Sequence, residues 1–266
     1  MTSEPFAFVP LPPGRSRAKP RARGFTMMID WGLGLGRQKD ILDIAGAYVD
    51  LAKIATGTSR LYQERQIREK LEIYKDHGVR PFLGGQFQEY VFATEGAQAL
   101  PLFFDEAKRL GFEVVEVSDN CIPLSPRERR EQITMARDKG LTVFGEVGSK
   151  SEKNAAGDLV AQARDCFEAG AELLLVEGAE LIGQGVVNAG LLRACRDDLE
   201  LDRVLFELPG PWISGVSLSE IHDVKKLLVS EFGPDVNIAN VMPDDIIETE
   251  ALRVGLGVVG PARRAR

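Results

Sequence analysis

Histidine and cysteine are scarce in this sequence, and their scarcity excludes several kinds of site. Only two histidines and three cysteines occur among 266 residues. Cys121, Cys166 and Cys195 are widely spaced and form no Cys-x-x-Cys pair, which argues against a disulfide framework and against a structural zinc site. His77 and His222 fall in segments with helical periodicity, where they are poor candidates for a catalytic dyad. A reducing cytoplasm is therefore the expected compartment.

Long apolar runs, export signals and an excess of positive charge are also missing. No run of about 18 apolar residues occurs, and no apolar stretch follows basic residues at the N-terminus, so neither insertion into a membrane nor export is expected. The formal net charge of −7 opposes binding to nucleic acid, because that binding depends on cationic contacts to phosphates. Serine and cysteine hydrolase motifs are absent as well. A small molecule is the expected binding partner.

What is present is the alternation of a parallel α/β protein. Hydrophobic residues make up 44% and charged residues 27% of the sequence, as in ordinary globular proteins. Eight strand-like runs recur near residues 25–30, 48–54, 79–84, 112–118, 141–147, 172–177, 203–208 and 235–239. Helical segments lie between them, and glycines such as Gly111 and Gly170 stand where helices should end. Eight such units, with no dinucleotide-binding Gly-x-Gly-x-x-Gly after the first strand, favour a closed barrel over an open sheet.

The predicted organisation is a single (β/α)8 TIM barrel with an irregular N-terminal arm. The length is close to the roughly 250 residues typical of one such barrel. We assign residues 1–24 to an arm rich in proline and arginine, residues 25–260 to the barrel and residues 261–266 to a basic C-terminal tail. The glycine-rich stretch 32–36 after the first strand is either a phosphate contact or a plain flexible loop.

Acidic side chains follow the predicted strands, where a barrel of this kind carries its active site. Four of them come from successive strands: Glu116, Glu146, Glu177 and Glu207. Two unit charges about 4 Å apart repel by about 4 kcal/mol at an effective dielectric constant near 20, so a counter-charge is needed. Hard oxygen ligands suit magnesium better than zinc. A magnesium site and an ion-pair network without metal are the two interpretations of this cluster.

Two lysines are placed to supply the counter-charge. Lys53 ends the second predicted strand, and Lys150 lies four residues after Glu146, just beyond the fifth. Lys150 could transfer a proton if burial lowers its pKa. The alternative is a solvated loop lysine.

Several ordered motifs resemble the phosphosulfolactate synthase family, which adds sulfite to phosphoenolpyruvate with magnesium. They include Met28-Ile29-Asp30, Glu116-Val117-Ser118-Asp119, Glu146-Val147-Gly148 with Lys150, and Glu177-Gly178. The resemblance runs from about residue 24 to residue 256 and implies a homo-oligomeric lyase. In the site that it implies, the catalytic residues are Lys150, Glu146 and Lys53; the substrate-binding residues are Asp30, Ser118, Asn120, Asn240 and Arg253; and the magnesium ligands are Glu116, Asp119, Glu146 and Glu177.

The chain departs from the family's pattern where that pattern carries cationic side chains. Neutral residues stand at four such positions: Trp31, Ala179, Val254 and Gly257. Charge-assisted hydrogen bonds contribute about 1.5–3 kcal/mol each, so three losses remove on the order of 4–9 kcal/mol of anion binding. Trp31 and Trp212 would instead offer stacking surface. Three functions remain open: sulfite addition to phosphoenolpyruvate, related chemistry on a bulkier or less anionic enol or carbonyl substrate, and a non-enzymatic stress-related role.

Overall fold

A computed structural model describes residues 5–11, 13–149, 154–183 and 186–257. Its centre is a closed barrel of eight parallel strands. The strands are β1 (Thr26–Asp30), β2 (Leu51–Ile54), β3 (Arg80–Leu83), β4 (Val114–Val117), β5 (Thr142–Val147), β6 (Leu173–Val176), β7 (Val204–Glu207) and β8 (Ile238–Val241). Each strand pairs with its neighbours in chain order, and β1 closes the barrel by pairing with β8. The predicted TIM barrel is confirmed, and all eight strands overlap the apolar runs of the sequence.

Helices cover the outside of this barrel. They are α1 (Leu35–Ala45), α2 (Glu64–Asp76), α3 (Gly85–Glu95), α4 (Leu100–Leu110), α5 (Pro126–Asp138), α6 (Ala156–Ala169), α7 (Ala189–Asp198), α8 (Leu218–Phe232) and α9 (Ile246–Arg253). Short 3-10 helices span Gly46–Tyr48, Thr58–Leu61, Ala97–Ala99, Leu201–Arg203 and Pro243–Asp245, and one helical turn spans Gly178–Leu181. Ile182–Gly183 pairs with Val186–Val187 in a small antiparallel sheet. Within the described residues no helix is long and apolar enough to cross a membrane.

Helix ends and strand periodicity both follow from the sequence. Gly111 and Gly170 end α4 and α6 with φ of 104° and 101°, a left-handed conformation that glycine adopts without steric cost. Side chains alternate across a strand, so one set of residues fills the barrel and the other packs under the helices. The inner set consists of Met27, Leu51, Phe82, Val114, Phe144, Leu173, Leu175, Leu205 and Ala239.

The same alternation decides which polar side chains enter the barrel. Glu116 is two residues after Val114, and Glu146 is two residues after Phe144, so both continue the inner set toward the C-terminal ends of the strands. Asp30 has the opposite parity, because Met27 points inward three residues earlier. Its carboxylate accordingly faces α2.

The N-terminal arm packs across the other end of the barrel without forming a helix or strand of its own in its described residues. Arg15 forms ion pairs with Asp235 and Glu250, at 3.3 and 2.9 Å. Arg21 pairs with Asp50 at 2.9 Å. These arginine side chains are almost completely buried, so the arm seals the N-terminal end of the barrel with paired charges. The predicted tail 261–266 lies outside the described residues.

Candidate active site at the C-terminal mouth

Lys53 lies at the centre of three buried glutamates at the C-terminal end of the barrel. Its Nζ is 2.9 Å from Glu116 Oε1, 3.0 Å from Glu207 Oε1 and 4.0 Å from Glu146 Oε2. All three glutamates are at most 2% exposed. They come from β4, β5 and β7, while the lysine comes from β2 on the other side of the barrel. The barrel topology therefore brings together side chains that are up to 154 residues apart in sequence.

The electrostatics of this cluster shift the pKa of several groups. Burial raises the pKa of Glu116 to about 7, opposed by the Lys53 ammonium and reinforced by the charge of Glu146. Burial, with the neighbouring charge of Glu146, also raises the pKa of Glu207. Burial alone would lower the pKa of Lys53, but the three carboxylates outweigh it and raise that pKa well above its ordinary value. At neutral pH the cluster thus combines a permanently charged ammonium with a carboxyl group that exchanges its proton near pH 7.

The chemistry of this donor set suits a hard divalent cation. One carboxylate oxygen from each of Glu116, Glu146 and Glu207 lies within 4.8 Å of the others. Carboxylate oxygens are the ligands that magnesium prefers, and a bound divalent cation would favour the ionised forms of Glu116 and Glu207, whose pKa is raised by burial. The side-chain oxygens of Asn120 and Asn240 are buried without a protein hydrogen-bond partner, and Asn120 donates to Glu146 at 2.5 Å. The residues present therefore fit such an ion.

A cavity of about 200 Å³ opens above the cluster. Its lining residues are Ile29, Trp31, Lys53, Ala55, Thr56, Gln86, Cys121, Glu146, Glu207, Trp212 and Asn240. The rings of Trp31 and Trp212 stack over it, with centroids 5.2 Å apart and planes 23° from parallel. Such a pair contributes about 0.5–1.5 kcal/mol beyond the burial of its area. The cavity thus has a charged floor and an aromatic roof.

Backbone strain is found at the wall of this cavity. Thr56 and Asn240 have φ of 50° and 58°, in the left-handed region that residues other than glycine rarely adopt. Conformations of this kind cost about 1–3 kcal/mol each and cluster at functional sites, where the surrounding structure enforces them. Two strained residues facing one cavity therefore support a functional role for the mouth.

A larger cavity of about 430 Å³ lies outside the barrel, against α2, α3 and α4. Its walls are mainly apolar, with Ile67, Phe103 and Leu110 among them. The charged residues at its edge, such as Glu64 and Arg109, form exposed ion pairs with each other. Because buried titratable groups converge at the mouth and not in this groove, size alone does not make the groove the better candidate site.

The loop after β4 is organised by a buried glutamate. Glu89 of α3 accepts hydrogen bonds from the Ser118 hydroxyl and from the backbone amides of Cys121 and Ile122, the last two at 2.8 and 2.7 Å. Ser118, predicted to bind substrate, is thus engaged with Glu89, while Asn120 and Asn240 lie at the mouth as expected. The sequence places Glu89 among the polar residues that follow the predicted strands but assigns it no role of its own.

Asp30 lies outside the mouth, between the barrel and α2. Its Oδ2 accepts from Lys70 Nζ and from the Tyr74 hydroxyl, both at 2.6 Å. Its Oδ1 accepts from the backbone amides of Gly32 and Leu33, at 2.9 and 2.8 Å. This corrects the sequence-based placement of Asp30 against the substrate, because one of its oxygens holds the loop after β1 and the other is engaged by two side chains of α2. The same bonds engage two amides of the glycine-rich stretch that could otherwise have faced a phosphate.

Two of the predicted metal ligands are placed differently from Glu116 and Glu146. Asp119 forms an ion pair with Arg129 of α5, so its charge is already balanced in the outer layer. Glu177 is buried beside the cluster, where its charge contributes to the raised pKa of Glu207, and its Oε1 accepts from the backbone amide of Ala179 at 3.1 Å. Glu207 is the third carboxylate that lies close to those of Glu116 and Glu146. We therefore leave Asp119 out of the candidate ligand set and add Glu207.

Arg253 lies at the opposite end of the barrel from the mouth. It is 3% exposed, and its guanidinium donates to the backbone oxygens of Pro234, Val236 and Phe25, at 2.8, 2.5 and 3.1 Å. Burial lowers the pKa of Arg253 to about 9, reinforced by the positive charge of Arg15. This corrects its assignment to substrate binding, because α9 runs back along the barrel and carries its last residue to the N-terminal end.

Lys150 lies outside the described residues, so its predicted catalytic role is not tested by the structure. The residues on either side of the undescribed segment are described. Glu180 accepts from the backbone amide of Ser149 at 2.9 Å and from that of Asn154 at 3.1 Å. One buried carboxylate thus holds both ends of the segment that contains Lys150.

Comparisons with known proteins show the family of this chain. The family model for (2R)-phospho-3-sulfolactate synthase (ComA) matches residues 14–258. A protein called phosphosulfolactate synthase from Methanothermobacter thermautotrophicus is 32% identical over 261 residues, which cover 94% of this chain and 95% of that protein. One of the same name from Methanocaldococcus jannaschii is 32% identical over 88% of this chain and 92% of its own length.

Among solved structures, the YdjI aldolase from Escherichia coli K12 shares the fold. It superimposes with a TM-score of 0.56 and 14% sequence identity, covering 84% of this chain and 76% of the aldolase. At that identity the likeness shows the architecture alone. The family match and the two relatives carry the assignment, and they show that this chain belongs to the phosphosulfolactate synthase family.

Proposed function

We propose that this chain is an enzyme that forms a carbon–sulfur bond by adding sulfite to phosphoenolpyruvate at the C-terminal mouth of its barrel. The observation that carries the proposal is the Lys53 ammonium held among Glu116, Glu146 and Glu207 in a member of this family. In the reaction, the sulfur lone pair attacks the terminal carbon of the enol. The electron pair of the double bond moves toward the substrate carboxylate, and the neighbouring carbon takes up a proton.

The chain's own residues would divide this work among them. Lys53, whose raised pKa keeps it protonated, supplies positive charge as negative charge develops on the substrate, a form of electrostatic stabilisation that often contributes most to catalysis. Glu116, with a pKa near 7, can hold or release a proton near neutral pH. Glu146 is oriented by the Asn120 amide. We assign the proton delivered to carbon to Lys150, following the family resemblance.

Magnesium is proposed as the cofactor, with Glu116, Glu146 and Glu207 as the residues that would hold it. Glu177 and the side-chain oxygens of Asn120 and Asn240 are the further oxygen donors nearby. When bound, the ion would supply additional positive charge for the acid groups of the substrate. Its binding should depend on pH, because the carboxylate ligands must be deprotonated to accept it.

The proposal is tested by incubating the purified chain with sulfite, phosphoenolpyruvate and magnesium chloride. We expect a product whose mass equals the sum of phosphoenolpyruvate and hydrogen sulfite, detected by mass spectrometry, with its phosphorus retained in the organic product by 31P NMR. Glu146→Gln and addition of a chelator should each abolish it. No product under conditions in which both substrates are shown to bind would contradict the proposal.

A second candidate function keeps the same chemistry on a less anionic or bulkier enol or carbonyl acid. The observation that favours it is the composition of the mouth. Among the described lining residues, the positive charge comes from Lys53, which is already engaged by carboxylates, and the roof is made of Trp31 and Trp212. A phosphate placed here would lose hydration and find few cations to replace it.

A further inference from the structure

We infer that Trp31 and Trp212 form a specificity-determining roof, which selects small acids that carry an uncharged planar group in place of a phosphate. This inference favours the second candidate function over addition to phosphoenolpyruvate, and it rests on the proposed function only in placing the substrate at the mouth. The chain contains two tryptophans. Both stack over one cavity, together with Lys53, Glu146 and Glu207. No requirement of the barrel itself brings these two rings together.

The position of the pair in the barrel makes it a cover for the reaction centre. Trp31 follows β1, and Trp212 lies in the segment between β7 and α8, so the stack spans the end of β8 that lies between those strands. At that end stands Asn240, which is 6% exposed, has a strained backbone and has a side-chain oxygen without a protein partner. A ligand in this cavity would therefore contact both tryptophans and an unused hydrogen-bond acceptor on Asn240.

The two halves of the roof are held differently. Trp31 stands in a loop fixed by the Asp30 carboxylate, which is itself anchored to Lys70 and Tyr74. Trp212 lies in a turn held by backbone hydrogen bonds from Ile213 to Gly210 at 2.9 Å and from Val216 to Ile213 at 3.3 Å. Trp31 is thus anchored through buried side chains, and Trp212 through backbone hydrogen bonds within its own turn.

The position of the Trp212 ring requires a residue without a side chain at position 210, which is Gly210. A Cβ atom built on it would lie 2.2 Å from the Trp212 ring, so a side chain at position 210 would displace the indole. The stacking energy of an aromatic pair corresponds to about a tenfold change in affinity or less. Separating the two rings therefore costs little free energy compared with the binding of a small ligand.

The chemistry of the roof opposes a phosphate and favours a planar group. An indole face carries the negative side of its quadrupole, so it attracts the edge of another ring and offers no charge-assisted hydrogen bond to an anion. The carboxylates of Glu146 and Glu207, which also line the cavity, repel a phosphate as well. The cavity is small, about 200 Å³, below the roughly 300–1,000 Å³ of sites for drug-sized ligands, so a small acid is the class of ligand that it suits.

The test is calorimetric titration, in the presence of magnesium, with phosphoenolpyruvate and with phenylpyruvate, which carries a phenyl ring and no phosphate. For the unmodified chain we expect phenylpyruvate to bind at least about tenfold more tightly. Trp31→Lys should reduce that ratio about tenfold or more by providing an ammonium where the indole stood, and Trp212→Lys should act in the same direction. Trp31→Phe should preserve the preference, because a planar ring remains.

The matched control is Tyr90→Lys, which places the same charge at an aromatic residue that is 62% exposed on α3 and does not line the cavity. It should leave the ratio unchanged. The inference is overturned if phosphoenolpyruvate binds as tightly as phenylpyruvate to the unmodified chain, or if both lysine variants fold and keep the original ratio. Failure of sulfite addition in the turnover assay is a separate result, because ligand preference is measured without turnover.

Discussion

The two ends of the barrel both bury charged side chains, but they balance them differently. At the N-terminal end, Arg15 and Arg21 are paired with Asp235, Glu250 and Asp50. At the C-terminal mouth, three buried carboxylates surround one lysine. At the sealed end the two arginines are balanced by carboxylates, whereas the mouth has more carboxyl groups than cations and raises the pKa of Glu116 to about 7, in line with the separation of stability and function between the two ends of barrels of this type.

The strained backbone conformations at Thr56 and Asn240 also lie at the mouth of the barrel. Thr56 and Asn240 at the mouth have positive φ, and buried amide oxygens there lack a protein partner. A scaffold without a ligand would gain stability by losing these features. Their coincidence at one cavity is therefore the structural argument for an enzyme over the non-enzymatic alternative.

The largest expected effect is that of removing the lysine from the mouth. Lys53→Met should lower kcat/KM about a thousandfold, since loss of one preorganised electrostatic group at a reaction centre costs about a hundredfold to a thousandfold and the remaining carboxylates will retain protons. The measurement is steady-state kinetics with the substrate found active. Lys225→Met is the matched control, because that lysine is 2% exposed and pairs with Asp245 and Glu248 in the helical layer. Equal losses of activity in both variants would contradict the account.

The second-largest effect is a loss of stability, expected on replacing Arg253 at the sealed N-terminal end of the barrel. Arg253→Met leaves three backbone oxygens without their donor and should lower the free energy of unfolding by about 3 kcal/mol, measured by urea denaturation. Its kcat/KM should stay within about twofold of the unmodified chain, because the residue is far from the mouth. A tenfold loss of kcat/KM without loss of stability would return Arg253 to the substrate site.

A smaller effect is the pH dependence of stability. The pKa of Glu116 is about 7 in the folded chain, against 4.5 for an ordinary glutamate, so the folded state binds more protons between these values. The free energy of unfolding should therefore fall as pH rises from about 4.5 to about 7. Glu116→Gln should flatten this slope, and Asp50→Asn, a carboxylate change at the sealed end, should not. The measurement is urea denaturation at a series of pH values, and an unchanged slope in Glu116→Gln would refute this origin.

The smallest effect is expected at Asn240. Asn240→Gly should raise the free energy of unfolding by about 0.5–1 kcal/mol, because glycine adopts positive φ without strain. The same change removes the amide oxygen that faces the cavity and should weaken substrate binding, measured as a higher KM. A gain in stability with unchanged kinetics would show that the strain there has no functional use.

Much of this arrangement could be predicted from the sequence, because strand periodicity is two residues. That rule places Lys53, Glu116, Glu146 and Glu207 inside the barrel and sends Asp30 to the helical layer. It also shows why Asp30 was misplaced, since position at a strand end was considered without parity. Arg253 was misplaced because its helix runs antiparallel to the strands, so the end of that helix lies away from the mouth.

The remaining features depend on how loops and helices fold back over the barrel, which the periodicity of the strands does not specify. The ion pair of Asp119 with Arg129 requires α5 to fold back over the barrel. The stacking of Trp31 on Trp212 depends on two loop conformations that are separated by six of the eight strands. Neither follows from local periodicity, although two tryptophans after strand ends were a usable hint.

The most direct test of the account is anomalous diffraction from crystals grown with manganese, a substitute for magnesium, in the presence of phosphoenolpyruvate or phenylpyruvate. The account predicts one strong anomalous peak at the mouth, coordinated by oxygens of Glu146 and of Glu116 or Glu207, with the organic acid under the tryptophan pair. An empty mouth, or a peak among the acidic residues of the sealed end, would contradict the central claim.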